Sequence, residues 1–193
     1  KTSGGDGFTK TVEESREAVA EARDRGVYEV CSVGGLHPAL VLDEEHREAV
    51  EATEAYTPPD EFLDDPGTYV DQIRAMSDLH VHAVTPEEAE HARRGTDRTY
   101  REVYEHLADA GLDTVPGTAA EILVDEVRDV ICPNKIDTEG WMEAMRGASA
   151  AGLGTTATMM YGHVENARHR ALHLERIREL QDETGSITEF VPL

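Results

Sequence analysis

The hydrophobic pattern alternates between two periods along the chain. From Thr11 the spacing predicts an amphipathic helix, with Val12, Ala18, Val19 and Ala22 turned inward and Glu13, Glu14, Glu17 and Glu21 outward. Thr11 followed by Glu14 is a capping box, and Gly26 is a stop. The run from Val27 to Val33 reads as a first strand, and Leu79 to Val84 as a second. Thr85-Pro86-Glu87-Glu88 then opens a helix with a cap, an N1 proline and acidic first-turn residues. Two similar stretches follow. Ala110-Gly111-Leu112-Asp113-Thr114 leads into Val115-Pro116-Gly117-Thr118, and Ala151-Gly152-Leu153-Gly154-Thr155 leads into Thr156 to Tyr161. Each is a helix end feeding a strand. A long helix, about Glu165 to Glu183, stops at Gly185, and Ile187 to Val191 forms a fifth strand.

Apart from the first pair, strand starts lie roughly 30–40 residues apart, the length of a βαβ unit. The longer first interval holds Tyr56-Thr57-Pro58-Pro59-Asp60, expected as a surface insertion. Five strands alternating with helices predict a parallel α/β sheet. A doubly wound sheet and a barrel segment are both allowed. No Gly-x-Gly-x-x-Gly follows a strand, which weakens the dinucleotide-fold reading. Polar, Gly-rich material after nearly every strand suits a barrel, where strand C-termini build the site.

Composition changes the picture at one point. Acidic side chains number 40 against 18 Lys plus Arg, a net charge of −22 over 193 residues. Only Lys1, Lys10 and Lys135 are lysines. Such a surface repels nucleic acid and anionic membrane, so neither is an expected partner. No apolar run approaches the ~20 residues that span a bilayer, and the expected location is cytoplasmic. At molar salt the Debye length falls to ~3 Å and the repulsion is screened, so many carboxylates with few lysines suggest a halophile. Two cysteines, Cys31 and Cys132, cannot alone hold an iron–sulfur cluster or a zinc, and both are expected as buried thiols. The chain starts at Lys1 and stops just after a strand, and five βα units cannot close an eight-stranded barrel. Residues 1–193 are therefore expected to be one partial (β/α) barrel domain from a larger protein.

Candidate chemistry sits after the strands. His37 follows the first, His80 and His82 share one face of the second, and His163 follows the fourth. Each histidine taken singly is expected to hydrogen-bond a loop. Together His37, His82 and His163 could converge as metal ligands or acid–base groups. His169 and His173, at i and i+4 beside Arg168 and Arg170, are expected on a solvated helix face. Gly34-Gly35 exposes backbone to a ligand or makes a tight turn. Glu121, in Gly117-Thr118-Ala119-Ala120-Glu121, could bind ribose hydroxyls or an ammonium group, or sit in a helix's first turn. Lys135 suits a specific task or a salt bridge.

Five motifs in order carry a resemblance: Gly34-Gly35-Leu36-His37-Pro38, Pro116-Gly117-Thr118-Ala119-Ala120-Glu121-Ile122-Leu123, Cys132-Pro133-Asn134-Lys135-Ile136, Thr155 through Tyr161-Gly162-His163-Val164-Glu165, and Thr188-Glu189-Phe190-Val191-Pro192-Leu193. Together they resemble the radical S-adenosylmethionine (SAM) enzymes of deazaflavin and menaquinone biosynthesis, most closely the tyrosine-using branch of FO synthase. A haloarchaeal source would fit both acidity and deazaflavin use.

The resemblance implies a parallel (β/α) radical-SAM TIM-type barrel, of which the chain covers about five βα units. It implies a 4Fe-4S cluster on a Cys-x3-Cys-x2-Cys loop and SAM as cofactor. It also implies transfer of the 4-hydroxybenzyl group of L-tyrosine to 5-amino-6-(D-ribitylamino)uracil, with the FO synthase partner subunit acting next. That three-cysteine loop is not in this sequence, so the chain is expected to lack the N-terminal cluster loop and the C-terminal part, and to be inactive alone. By residue matching, Gly34, Gly35 and Glu121 are the candidates for SAM binding, and His37, Tyr161 and His163 for the substrate pocket. Leu36 stands where the wider Gly-Gly-Glu form has its glutamate. The alternatives are a menaquinone (futalosine) pathway relative, a metal-dependent barrel hydrolase using His37, His82 and His163, and a non-catalytic chain that binds a partner through open sheet edges.

Overall fold

A computed structural model describes residues 8–51 and 65–193; the expected insertion at Tyr56 to Asp60 lies outside them. Five strands form one sheet: β1 (Glu29–Ser32), β2 (His80–Ala83), β3 (Thr114–Val115), β4 (Gly154–Met159) and β5 (Ile187–Pro192). All four pairings are parallel, and the spatial order is β1-β2-β3-β4-β5. A doubly wound sheet reverses its strand order at a switch point, whereas a barrel keeps chain order. The sheet is therefore a five-strand arc of a (β/α) barrel.

Between the strands run α1 (Val12–Asp24), α2 (Glu44–Glu51), α3 (Tyr69–Met76), α4 (Pro86–Arg93), α5 (Tyr100–Ala110), α6 (Asp125–Ile131), α7 (Thr138–Ala150) and α8 (Ala167–Thr184). Their starts are set by short-range chemistry. Thr11, Thr68, Thr85 and Thr99 each accept the N3 amide, and Glu14, Asp71, Glu88 and Glu102 reciprocate. Two helix ends repeat one device. Gly111 and Gly152 take positive φ, and the next residues, Leu112 and Leu153, donate back to Leu107 and Ala148 while burying their side chains. This is the physical content of the similar stretches at 110–114 and 151–155.

The helices pack in series, α1 on α3, α3 on α5, α5 on α7 and α7 on α8. They cover one face of the sheet. Val81, Val115 and Ala157 from the strands meet Val103, Leu107, Trp141 and Met145 from the helices, all fully buried. At Gly147 a Cβ would come within 2.6 Å of Tyr100 Cβ, so α7 approaches α5 through a glycine. The α1 phase differs from expectation. Ser15 and Val19 face inward, and Ala18 is exposed. Ser15 Oγ donates to Gln72 Oε1 of α3 at 2.7 Å, and that polar contact rotates the buried stripe.

The opposite face of the sheet is polar. Glu29, Cys31, His80, His82, Thr114, Thr156 and Glu189 lie on it, exposed or half-buried. Cys31 is thus exposed and Cys132 half-buried, against the expectation of two buried thiols. Cys31 pairs laterally with His82 on the face without helices. β3 is short because Gly117 leaves the ladder, its N–H going to Thr156 Oγ1 and its C=O to the Thr158 hydroxyl.

Among the described residues no helix is long and apolar enough to cross a membrane. Carboxylates outnumber their cationic partners, so Arg146 serves both Glu139 and Glu183. With a net charge of −22, the melting temperature should rise steeply from low to molar KCl, as repulsion is screened. Thermal scans at both salts check this; an equal midpoint in low salt would refute it.

Candidate functional site

The C-terminal strand ends carry a set of loops pinned by buried polar side chains. After β1, Gly34 N–H donates to Glu88 Oε1 of α4 at 3.1 Å. Glu88 is 6% exposed, its other oxygen accepts from Thr85 N–H, and burial raises its carboxyl pKa against these two bonds. His91, one turn further, donates from Nε2 to the carbonyls of His37 and Leu40, both at 3.0 Å. Burial, with Arg94 nearby, brings its pKa down to about 4. The Gly-Gly loop is therefore a structure built on α4. Gly34 has its amide engaged, and around a Cβ at Gly35 nothing lies within 4 Å. His37, half-buried, accepts the Ala39 amide on Nδ1, and burial lowers its pKa.

After β3 the loop from Gly117 to Val124 is fixed from three sides. Buried Arg128 donates to the carbonyls of Ala119 and Ala120, at 3.2 and 2.6 Å, and to Ile136 O. Trp141 Nε1 reaches Thr118 O at 3.4 Å, and His173 Nδ1 accepts Leu123 N–H at 3.0 Å. These contacts hold Ala119 and Glu121 at φ +68° and +45°. Val84, at the end of β2, sits at +59° with its carbonyl bonded by Tyr104 Oη. Each such backbone costs about 1–3 kcal/mol, and all three lie at strand C-termini, where barrel enzymes place their chemistry.

Glu121 pairs with Lys135 Nζ at 2.7 Å, and its carbonyl accepts Met160 N–H at the end of β4. Glu121, Lys135, Cys132, Asn134 and Met160 line a cleft of about 300 Å³. The lysine singled out by its rarity thus has a salt-bridge partner in the loop that held the candidate carboxylate. Tyr161, half exposed, continues the β4 end, and its N–H meets Leu193 O beyond β5.

His163 does something narrower than expected. Nε2 bonds Met160 O at 3.0 Å and Nδ1 accepts Val164 N–H at 2.8 Å, so both ring nitrogens close their own turn. Glu165 accepts the amides of Gly162 and His163 and pairs with Arg170, which brings its pKa to about 2. His82 bonds Thr114 instead, through Nδ1 at 2.8 Å. Among the described residues no group of three or more His, Cys, Asp or Glu is placed to hold a metal, so His37, His82 and His163 do not converge as the hydrolase alternative requires.

His169 and His173 are also corrected. Both are buried: His173 packs against Leu123 of the β3 loop and Phe190 of β5, and His169 faces Glu126 of α6. His173 is fully enclosed, and burial brings its pKa down to about 4. Glu88, Thr114 and Arg128 were missed as candidates. The capping-box spacing located Glu88 but offered no sign of Gly34, 54 positions away.

A chain-ordered parallel sheet, helices on one face and rigid polar loops at the strand C-termini define a barrel-enzyme scaffold. A sequence model of the radical SAM superfamily matches residues 1–177, and the chain belongs to that superfamily. It is 66% identical, over 97% of its length, to the 5-amino-6-(D-ribitylamino)uracil–L-tyrosine 4-hydroxyphenyl transferase of Haloarcula marismortui, and covers 43% of that protein. Identity to the protein of the same name from Halobacterium salinarum is 64%, covering 97% of this chain and 42% of that one. The chain spans less than half the length of these relatives. Their haloarchaeal origin accords with the acidic composition. The solved structure of the cobalamin-dependent S-adenosylmethionine radical enzyme OxsB superposes with a TM-score of 0.51 at 11% identity, covering 94% of this chain and 23% of that one, a likeness of fold.

Proposed function

We propose that these residues belong to a radical SAM transferase that joins the 4-hydroxybenzyl group of L-tyrosine to 5-amino-6-(D-ribitylamino)uracil. The observation that carries the reading is the 66% identity to a protein bearing that activity in its name. In this reading residues 1–193 are part of a longer, cytoplasmic barrel protein whose product passes to an FO synthase partner subunit.

Superfamily membership implies a 4Fe-4S cluster and SAM. The cluster does not fit the residues in hand: Cys31 and Cys132 are the only two cysteines, and they sit in separate places, one on β1 and one after α6. Its ligands are assigned to the part of the longer protein that these residues do not cover. SAM fits better. Gly35 leaves open space beside the backbone, and the cleft beside Glu121 offers a carboxylate oxygen not taken by Lys135. Gly35 and Glu121, with Gly34 shaping the loop, are the proposed SAM contacts. When bound, SAM supplies the 5′-deoxyadenosyl group for radical chemistry.

The remaining roles fall to this chain's own groups. Glu88 and His91 hold the Gly-Gly loop rigid, and Arg128, Trp141 and His173 do the same for the loop carrying Glu121. Tyr161 and His37 flank the substrate pocket, and His163 orders the turn that carries Tyr161. The full-length protein, assayed anaerobically with reductant, SAM, tyrosine and the diaminouracil, should form 5′-deoxyadenosine at a rate that depends on tyrosine. Formation indifferent to tyrosine would favour another member of the superfamily.

A further inference from the structure

The sheet face opposite the helices carries a feature the loops do not explain. Thr114 Oγ1 lies 2.9 Å from His80 Nε2 and 2.8 Å from His82 Nδ1. A threonine hydroxyl has one hydrogen to give. It cannot donate to both rings, so at least one ring must donate to it, and the two tautomers are coupled. Asp113 Oδ2, fixed by Val81 N–H at 2.8 Å, stands 3.9 Å from His80 Nδ1 and attracts a proton there. Glu29 Oε2 is 3.9 Å from His80 Nε2, where the closer Thr114 hydroxyl already supplies the hydrogen. That arrangement gives His80 Nδ1–H, Thr114 O–H to His80 Nε2, and His82 Nδ1–H to Thr114 oxygen. His82 Nε2, with no hydrogen bond among the described residues, is left as an acceptor on the polar face.

We propose that Asp113, His80, Thr114 and His82 form a proton path whose inner end, His82 Nε2, takes a proton from a substrate N–H or O–H group on this face of the sheet. The transfer balances without redox change. His82 Nε2 gains the substrate proton, His82 Nδ1–H passes to Thr114 oxygen, the Thr114 proton passes to His80 Nε2, and His80 Nδ1–H leaves toward Asp113 and solvent. Both rings start as the Nδ1–H form and end as the Nε2–H form. Asp113 and His80 are about half exposed, at the N-terminal ends of β3 and β2, so the path leads out of the site toward water. Burial lowers the His82 pKa, acting against Glu29, which raises it, together with His80, which lowers it, and Glu189, which raises it. The path rests on the transferase reading only for the identity of the substrate.

Two-bond ¹H–¹⁵N spectra of the ¹⁵N-histidine-labelled full-length protein, above neutral pH, test the path without substrate. His80 and His82 should both show Nδ1–H, Thr114→Ser should preserve this, and Thr114→Val should move His82 toward Nε2–H while His80, facing Asp113, keeps Nδ1–H. An Nε2–H tautomer for His82 in the unaltered chain, or spectra unchanged in Thr114→Val, would overturn the path and leave the transferase reading untouched. In the loaded full-length enzyme, His82→Gln should lower kcat about 100-fold and Thr114→Val about 10-fold, with KM little changed and a shifted pH profile. If Thr114→Val alters the spectra but neither kcat nor its pH profile, the contact is structural and the proposal fails.

Discussion

Gly117→Ala should destabilise the protein by about 3 kcal/mol or more and, in the full-length protein, abolish the proposed transferase activity. A Cβ at Gly117 would stand 1.9 Å from Thr156 O and 2.7 Å from Ala157 Cα. These are backbone atoms of β4, so no side-chain rotation relieves the clash. β3 and β4 would have to part, breaking the bonds that Thr156 and Thr158 make to Gly117. The Glu121 loop begins there and would lose its place. Gly35→Ala is the control: its Cβ meets nothing within 4 Å, so stability should change by less than about 0.5 kcal/mol. Denaturant unfolding of both variants in molar salt measures the contrast. Equal midpoints would show that the β3–β4 approach is looser than described.

Acid should begin to destabilise the chain above the range where carboxylates titrate. His91 and His173 have folded pKa values of about 4 against 6.5 for the free side chain. Between those values the unfolded chain binds protons that the folded one refuses, so stability is whole above about pH 6.5 and declines toward pH 4. The loss is on the order of 3 kcal/mol for each histidine. Glu165, held at about 2, adds a loss of the same sign from about pH 4.5 downward. Glu88, whose pKa is raised, offsets part of it. Unfolding free energy against pH should be followed in molar salt, since acid also relieves the charge repulsion that low salt leaves unscreened. The double variant His91→Gln, His173→Asn keeps a donor near Nε2 and an acceptor near Nδ1, and should flatten the slope between pH 6.5 and 4. An unaltered slope would assign the acid sensitivity to other groups.

Local chemistry was readable from the chain, and long-range partners were not. Thr11 with Glu14, Thr85 with Glu88, and the glycines at 111 and 152 announce helix ends, because capping and left-handed turns are satisfied within a few residues. Element spacing pointed to a parallel βα series but allowed both a doubly wound sheet and a barrel; the polar, Gly-rich strand ends and the resemblance favoured the barrel, and the chain-ordered sheet decides for it. The length of β3 was hidden, because the hydroxyls that draw Gly117 out of the ladder lie about forty residues on, in β4. The burial of His169 and His173 was hidden by their arginine neighbours, which point to the other side of the same helix. At the candidate site, the motifs marked Gly34, Gly35 and Glu121 as loop residues. Nothing near them in sequence announced that Glu88 takes the Gly34 amide or that Lys135 takes the Glu121 carboxylate. His163 was singled out by its place after the fourth strand and by the resemblance, and neither reveals that both its nitrogens are spent on its own turn.

The transferase reading is tested most directly by tracing carbon. The full-length protein is supplied with ring-¹³C-labelled tyrosine, SAM, reductant and the diaminouracil, and the uracil-containing products are read by mass spectrometry. The account predicts a uracil product carrying the whole labelled ring, formed together with 5′-deoxyadenosine. Turnover of SAM with every uracil species unlabelled would contradict it.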